Sequence, residues 1–168
     1  MELLIVRHGP AGDAAEKAAW KRSGRPDSDR PLTKEGRRRT KEAAAGLARA
    51  VEGFGVVATS PWARAAQTAA LVAKALDADL VECPALIPDS PFEDALSWLR
   101  ARPEKRLALV GHDPYLSRFA SWLLTGRERA ILRLKKPQAV LLELKRLEPG
   151  AAELVWSLPP RPLRALAR

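Results

Sequence analysis

The chain has 168 residues, of which 46% are hydrophobic and 29% are charged, and its formal net charge is +9. This length and composition predict one soluble globular domain over residues 1–168, with residues 159–168 as a peripheral basic tail. The only cysteine, Cys83, excludes an intramolecular disulfide. With two histidines and no clustered ligand spacing, we expect neither a dedicated metal site nor a metal cofactor.

Hydropathy and charge also limit the location and the partners. No apolar stretch approaches the roughly 20 residues that span a bilayer, and the N-terminus lacks the pattern of a secretory signal. We therefore expect a cytoplasmic protein without membrane contact. The positive charge favours an anionic partner, which is either nucleic acid or a phosphorylated or acidic protein.

The hydrophobic pattern of the first third of the chain predicts strands separated by helices. Residues 3–6 form a short apolar run with two β-branched members, which is typical of a buried strand. A long, partly helical loop is expected over residues 10–31. Thr33 is placed to cap a helix over residues 34–52, and residues 56–59 predict a second buried strand.

Three further helices are predicted to begin at a capping side chain followed by proline. These pairs are Ser60-Pro61, Ser90-Pro91 and Asp113-Pro114. Glu93 completes a capping box with the second pair. Arg64 lies in the first turns of the first of these helices, where free N–H groups and the positive end of the helix dipole favour a phosphate.

The other segments predict more strands. Residues 79–83 and 106–110 are expected to join the sheet, and residues 139–145 and 152–157 are expected to form an antiparallel hairpin. The alternation predicts a three-layer α/β/α domain whose central sheet is mostly parallel, with helices on both faces.

Both histidines follow predicted buried strands. His8 comes after the first strand, and His112 comes after the strand over residues 106–110. Because ligands bind outside the carboxyl ends of the strands in such sheets, we expect these rings to converge there with Arg7 and Arg64. Two arginines can grip a phosphoryl group, one neutral histidine can attack phosphorus, and the other can donate to the phosphoryl oxygens.

Four ordered segments of the chain resemble the histidine phosphatase superfamily, which includes the phosphoglycerate mutases. They are the Arg-His-Gly (RHG) motif at 7–9, residues 27–33 with Gly36, residues 60–68, and residues 110–114. The second segment is similar to the short, SixA-like phosphohistidine phosphatase branch. The resemblance implies a phosphoglycerate mutase-like fold, with His8 as a nucleophile that forms a phosphohistidine intermediate. It also implies that Arg7, Arg64 and His112 form the phosphate pocket.

The general acid is the least defined part of the predicted site. Many members of the superfamily place an acidic residue after the second helix, and here the candidates are Glu82, Asp89 and Glu93. Glu93 and Asp113 are assigned to helix caps, so Asp89 in its Pro-rich turn stays as a candidate acid. A chain without an obvious acid favours imidazole as leaving group, because the pKa of histidine is about 6.5 and that of water is about 15.7.

These features predict a metal-independent phosphatase acting in signal transduction on phosphohistidine, within a protein such as a phosphotransfer domain. The alternative is a phosphatase or mutase acting on a small phosphate monoester. A third hypothesis, a basic nucleic-acid-binding module with an inactive phosphatase fold, is disfavoured by an aromatic content of 5%. Two interpretations of Arg30 stay open: it reaches the substrate pocket, or it pins its own loop through Asp27 or Asp29.

Overall fold

The computed structural model describes residues 1–168 as a six-stranded sheet with six α-helices. The strands are β1 (Glu2–Arg7), β2 (Val56–Thr59), β3 (Asp79–Glu82), β4 (Arg106–Gly111), β5 (Ala139–Leu144) and β6 (Ala152–Leu158). The helices are α1 (Ala14–Arg22), α2 (Lys34–Ala50), α3 (Ala63–Leu76), α4 (Phe92–Arg100), α5 (Tyr115–Thr125) and α6 (Pro160–Ala165). None of these helices combines the length and the apolar composition needed to cross a membrane.

The sheet has the order β3-β2-β4-β1-β5-β6. The first four of these strands run parallel, whereas β5 and β6 form an antiparallel hairpin at one side. In the central pair, Arg7 at the end of β1 lies opposite Gly111 at the end of β4. The His8 N–H then donates to the Gly111 carbonyl at 2.9 Å. The chain segments that carry His8 and His112 therefore leave the sheet side by side.

Helices cover both faces of the sheet, which confirms the predicted three-layer α/β/α architecture. Leu3 and Ile5 of β1 belong to a core that α4 and α5 complete. Leu4 and Val6 belong to a second core, formed with α2, α3 and α6. This alternation follows from the two-residue period of a strand, which places successive side chains on opposite faces. Since both faces are buried, all four side chains are apolar.

The predicted side-chain cap is present at one helix and is not present at three others. The Thr33 hydroxyl accepts a hydrogen bond from the Gly36 N–H at 2.9 Å and caps α2 as expected. The helices α3, α4 and α5 begin without a side-chain cap. Ser60 Oγ lies instead 2.9 Å from His112 Nε2, and Asp113 accepts a hydrogen bond from Ser117. A residue distant in sequence, His112, thus engages Ser60, whereas Asp113 contacts Ser117, four residues along the chain. Glu93 completes no capping box.

The C-terminal segment corrects another expectation. The sequence predicts a peripheral tail over residues 159–168, but this segment contains α6, and its Leu163 is fully buried. The backbone of α6 approaches α2 so closely that a Cβ on Gly46 would lie 1.8 Å from the Leu163 carbonyl oxygen. Only glycine permits this approach. A helix of six residues is too short to show a clear hydrophobic period, which is why the sequence did not predict it.

Candidate active site

The two histidines meet at the carboxyl edge of the sheet. His8 and His112 are 4% and 2% exposed, and their ring centroids lie 5.2 Å apart. Their positions follow from the adjacent ends of β1 and β4. The structure therefore brings together two rings that are separated by about a hundred residues in the sequence, as expected from their places after buried strands.

The tautomer of His8 follows from its two hydrogen-bond partners. Nδ1 lies 2.6 Å from the Gly9 carbonyl oxygen, which only accepts, so Nδ1 carries the proton. Nε2 then holds a lone pair, and Arg64 Nε donates to it at 3.3 Å. Burial lowers the pKa of His8 well below its usual value. The Gly9 carbonyl opposes this shift, while the charges of Arg64 and Lys136 add to it. His8 is therefore neutral near pH 7 and presents a nucleophilic nitrogen.

His112 is positioned through Ser60, whose Oγ lies 2.9 Å from His112 Nε2. The Trp62 ring packs against the imidazole with 4.9 Å between centroids. Nδ1 of His112 is buried and has no hydrogen-bond partner within the protein. Burial, followed by the charge of Arg64, lowers the pKa of His112 to about 3, against the opposing charge of Asp27. When the Ser60 hydroxyl donates to Nε2, the proton of the neutral ring resides on Nδ1 and is available to an acceptor.

Arg64 is fixed in the first turn of α3 by Asp27. Its Nη1 donates to the Asp27 carbonyl at 2.7 Å, and its Nη2 donates to the Asp27 carboxylate at 3.0 Å. The guanidinium also lies 4.7 Å from the centre of the Trp62 ring. A guanidinium has five N–H donors. Asp27 and His8 engage three of them, so two remain for an anion in the pocket.

Arg7 is the last residue of β1 and directly precedes His8 in the chain. Its Nη1 donates to the Leu134 carbonyl and lies 3.8 Å from the Asp113 carboxylate. Its Nε is buried without a hydrogen-bond partner in the protein. Arg7 Nε and His112 Nδ1 are the only two buried side-chain nitrogen or oxygen atoms in the chain with this property. Since buried polar atoms are normally hydrogen-bonded, the pair indicates a site built to receive an acceptor.

Lys136 adds a further positive charge that the sequence analysis did not identify. It is half-buried and forms no ion pair, and it lies in the segment between Leu134 and β5 that contacts Arg7. Burial and the charges of Arg7, Arg30 and Arg64 all lower its pKa. Such mutual repulsion shows that cations crowd at this edge of the sheet, and an anion would relieve it.

The structure bears on the two interpretations of Arg30. Its Nε donates to the Asp27 carboxylate at 2.8 Å, and its Nη1 donates to the Ala11 carbonyl. These contacts favour the interpretation in which Arg30 pins its own loop through Asp27. Sequence reasoning considered Asp27 only as a partner of Arg30. Asp27 and Arg64 are 37 residues apart in the sequence, and no local sequence pattern indicates their contact.

Asp89 does not reach the two histidines. Its φ of 67° places it in a left-handed turn, a conformation that Asp tolerates better than most residues. It lines a cavity of about 310 Å³ together with Pro114, Tyr115 and Arg118. No hydrogen bond or ion pair joins Asp89 to His8 or His112, and its charge is not among the causes that shift their pKa values. The position of Asp89 is that of a turn residue.

Thr68 is another structural contributor that the sequence analysis missed. Its hydroxyl donates to the Arg64 carbonyl at 2.8 Å and accepts from the Gly9 N–H at 3.0 Å. A Cβ on Gly9 would lie 2.0 Å from Thr40 Oγ1, so a side chain does not fit there. Thr68 therefore locks the loop after His8 onto the helix that carries Arg64. The spacing of four residues between Arg64 and Thr68, one helical turn, is a signal that could have suggested this link.

The comparisons with known proteins agree with this geometry. A family model described as histidine phosphatase superfamily (branch 1) matches residues 3–87. The chain is 39% identical over 140 residues to an uncharacterized protein of Picosynechococcus sp. (strain ATCC 27264 / PCC 7002 / PR-6), and the match covers 81% of each chain.

Two solved structures illustrate the likeness of the fold. The protein histidine phosphatase SixA complexed with tungstate superposes with a TM-score of 0.79 at 25% identity, over 97% of this chain and 99% of that one. Phosphoserine phosphatase in complex with 3-phosphoglyceric acid, from Entamoeba histolytica, superposes with a TM-score of 0.69 at 17% identity. That match covers 96% of this chain and 98% of the other. The second likeness concerns the fold alone.

Proposed function

This chain belongs to the histidine phosphatase superfamily (branch 1), and we propose that it is a metal-independent phosphatase acting on phosphohistidine in a protein. The observation that carries the proposal is the pair of buried nitrogens without partners, Arg7 Nε and His112 Nδ1, together with the 5.2 Å between the ring centroids of His112 and His8. The likeness to a SixA phosphatase supports the same conclusion. A phosphotransfer domain is the kind of protein that carries such a phosphoryl group.

In the proposed first step the phosphoryl group binds among the cations. Arg7 and Arg64 supply guanidinium donors suited to phosphoryl oxygens, and Lys136 adds positive charge. His112 donates from Nδ1 to an oxygen whose charge grows as the group transfers. The guanidinium and ammonium groups that surround this position repel a metal ion, and they supply the charge that a metal would otherwise provide.

The proposed chemistry transfers the phosphoryl group twice. His8 Nε2 attacks phosphorus, a new P–N bond forms, and the bond from phosphorus to the substrate nitrogen breaks. The other nitrogen of the substrate ring takes a proton from solvent before the bond breaks, so the electron pair of the broken bond stays on a neutral leaving imidazole. Water then attacks the phosphorus of phospho-His8, returns the electron pair to Nε2, and releases inorganic phosphate.

The surroundings of the pocket favour phosphohistidine over a phosphate monoester. Two carboxylates of the site are engaged by arginines: Asp27 accepts from Arg30 and Arg64, and Asp113 lies 3.8 Å from Arg7. Asp89 is not in contact with either ring, so no carboxylic acid is placed to protonate a leaving alkoxide. An imidazole leaving group, with a pKa of about 6.5, needs such an acid far less.

A small phosphate monoester is the second candidate substrate, and one feature favours it. A cavity is lined by Pro114, Tyr115 and Arg118, which follow His112 closely in the chain. Arg118 is paired with Glu128 at 2.7 Å, and Asp89 and Glu93 also line the cavity, so the cavity offers space for the remainder of a small substrate but no free cation. A mutase acting on such a substrate would use the same nucleophile.

The choice between the two substrates depends on a comparison of kcat/KM values. We expect the purified enzyme to dephosphorylate a histidine-phosphorylated phosphotransfer domain with a higher kcat/KM than phosphoserine or 3-phosphoglycerate. Added EDTA should leave this activity unchanged. A higher kcat/KM for a small phosphate monoester would overturn the assignment of phosphohistidine, and loss of activity with EDTA would overturn metal independence.

A further inference from the structure

A protruding segment lies beside the pocket, and the proposed chemistry does not use it. We define residues 12–29 as the arm, which consists of α1 and the 3₁₀ turn Asp27–Asp29. None of the residues of α1 is buried. Since isolated helices of this length are marginal in water, α1 depends on its ends for stability and not on packing.

The arm is held at both of its ends. Asp13 and Glu16 form a capping box at the start of α1, with two hydrogen bonds of 2.9 Å. The Trp20 indole donates to the Pro26 carbonyl at 2.9 Å and closes the arm on itself. Asp27 then joins its base to Arg64. The arm is therefore fixed in place while its outer face stays uncovered.

The uncovered face contains an apolar groove with a rim of cations. Its volume is about 530 Å³. The apolar part is formed by Ala14, Ala18 and Trp20, and the cations are Lys17, Lys21 and Arg25. The Arg25 guanidinium stacks 3.6 Å from the centre of the Trp20 ring and holds the indole in position. A rigid aromatic side chain among cations is typical of a surface that binds a partner.

The charges of the arm are separated along its length. Four cations lie between Lys17 and Arg25, whereas the carboxylates lie before them, at Asp13 and Glu16, and after them, at Asp27 and Asp29. Lys17 and Lys21 form no ion pair. The groove therefore presents free ammonium groups, which fit an acidic surface.

The groove and the pocket share one residue. Asp27 lines the groove, and its carboxylate accepts from Arg64, whose Nε contacts His8. The charge of Lys17 is among the causes that lower the pKa of Asp27, so the two sites lie within reach of each other's charges. A molecule seated in the groove would thus lie next to a phosphoryl group on His8.

We propose that this groove docks an acidic surface of the phosphorylated protein substrate, an inference that rests on the proposed function. A second copy of the chain is a poor occupant, because each copy has a net charge of +9 and the two would repel. Docking supplies binding energy away from phosphorus, so it lowers KM for a protein and leaves a small phosphate ester unaffected. The arm thereby selects proteins over metabolites.

The test reverses the free charges of the groove and compares two substrates. Lys17→Glu/Lys21→Glu is expected to lower kcat/KM for a histidine-phosphorylated phosphotransfer domain by about tenfold or more, mainly through KM. The kcat/KM for p-nitrophenyl phosphate should change far less, because this substrate does not extend into the groove and feels only the charge of Lys17 acting through Asp27. Lys17→Gln/Lys21→Gln should have a smaller effect in the same direction. Far-ultraviolet circular dichroism verifies that each variant keeps its helices.

Lys105→Glu is the matched control, because Lys105 is exposed and lies at the opposite edge of the sheet, before β4. It should leave both kcat/KM values unchanged. Increasing salt should weaken turnover of the protein in the wild type and less so in the double variant. Unchanged turnover of the protein by Lys17→Glu/Lys21→Glu overturns the docking proposal. So does a loss of affinity for single-stranded DNA with unchanged turnover of the protein.

Failure of the proposed function would have a different signature. In that case the wild type would not hydrolyse the phosphorylated domain, or would turn over phosphoserine or 3-phosphoglycerate with a higher kcat/KM. If the wild type prefers the phosphorylated domain, the proposed function stands, and the variant decides the role of the groove alone.

Discussion

The two ends of the central strand pair β1 and β4 carry the same kinds of charged side chain in opposite arrangements. At the amino ends Arg106 pairs with Glu2, and Arg102 pairs with Glu104 in the preceding loop. At the carboxyl ends Lys136 adds a third positive charge to those of Arg7 and Arg64. The cations there outnumber the carboxylates, which are Asp27 and Asp113.

The two ends differ in the burial of their charged side chains and in the balance of positive and negative charge. The Arg106 and Glu2 side chains are 48% and 34% exposed, whereas the Arg64 side chain is 6% exposed. Exposed ion pairs contribute little to stability, while burying charges of like sign close together costs free energy. An excess of buried positive charge therefore distinguishes the carboxyl ends of β1 and β4 from their amino ends. Substitutions at the two ends test that distinction.

The largest effect is expected from His8→Ala. Removal of the nucleophile should lower kcat by about 10³-fold or more on any substrate, because the covalent step is lost. Thermal unfolding should show a folded protein, since the imidazole contributes no apolar contact that the core requires. Retained hydrolysis of p-nitrophenyl phosphate by a folded His8→Ala protein would exclude His8 as the nucleophile.

The two ends of the sheet are compared directly by Arg64→Ala and Arg106→Ala. Truncation of a buried charged contact costs about 2–5 kcal/mol, so Arg64→Ala should lower kcat/KM by roughly two to three orders of magnitude. Arg106→Ala removes an exposed pair, worth about 0–1 kcal/mol, and should leave kcat/KM unchanged. Steady-state kinetics of both variants provide the measurement. Equal losses in the two variants would contradict a special role for the carboxyl end.

A smaller effect is expected from Asp27→Asn, because Asp27 positions Arg64 without touching the substrate. The kcat/KM should fall by about tenfold as the guanidinium loses its alignment. Burial raises the pKa of Asp27, but the hydrogen bond from Arg30 and the charges of Arg64 and Arg30 outweigh it and lower the pKa overall.

The same substitution predicts a change in acid stability. Because the pKa of Asp27 is lower in the folded state, its ionisation stabilises the folded protein at pH values above the unfolded pKa of about 3.9. This contribution is lost as the pH falls from there through the folded pKa. Chemical unfolding between pH 7 and pH 3 should therefore show a weaker acid destabilisation in Asp27→Asn than in the wild type. Parallel pH profiles of stability would exclude an ionised Asp27 as the holder of Arg64.

The smallest effect is expected from Lys136→Met, with Lys135→Met as its exposed neighbouring control. The charge of Lys136 helps to lower the pKa of His8, so its removal should raise that pKa. The acidic limb of the profile of kcat/KM against pH should then move to higher pH, and KM should rise severalfold. The profile of Lys135→Met should match the wild type. An unshifted acidic limb in Lys136→Met would place Lys136 outside the pocket.

The sequence predicted the parts of the site that depend on strand ends. His8 and His112 could be placed together because each comes after a buried apolar run, and adjacent parallel strands bring the residues at their carboxyl ends to one edge. Arg64 could be added because a helix start near such an edge favours phosphate. The mostly parallel sheet and the C-terminal hairpin were predicted from the hydrophobic pattern of the strands, which is a local property of the sequence.

Contacts that join distant segments could not be predicted. Ser60 has the local pattern of a helix cap, yet its partner in the fold is His112, 52 residues away in the sequence. The sequence analysis did not identify the contact of Asp27 with Arg64 or the charge of Lys136 beside the arginines. In both cases the partners are far apart in the sequence, and helix and strand periodicity relates only nearby residues.

The central claim is that His8 carries the phosphoryl group during turnover, and its most direct test is to trap that intermediate. The wild-type enzyme would be mixed with a phosphohistidine protein, quenched in alkali within the first turnover, and analysed by peptide mass spectrometry. We predict an acid-labile phosphoryl group on His8 that forms and decays at rates compatible with kcat, and that is missing in His8→Ala. A phosphoryl group on His112, or turnover with no phosphorylated enzyme at any time, would contradict the claim.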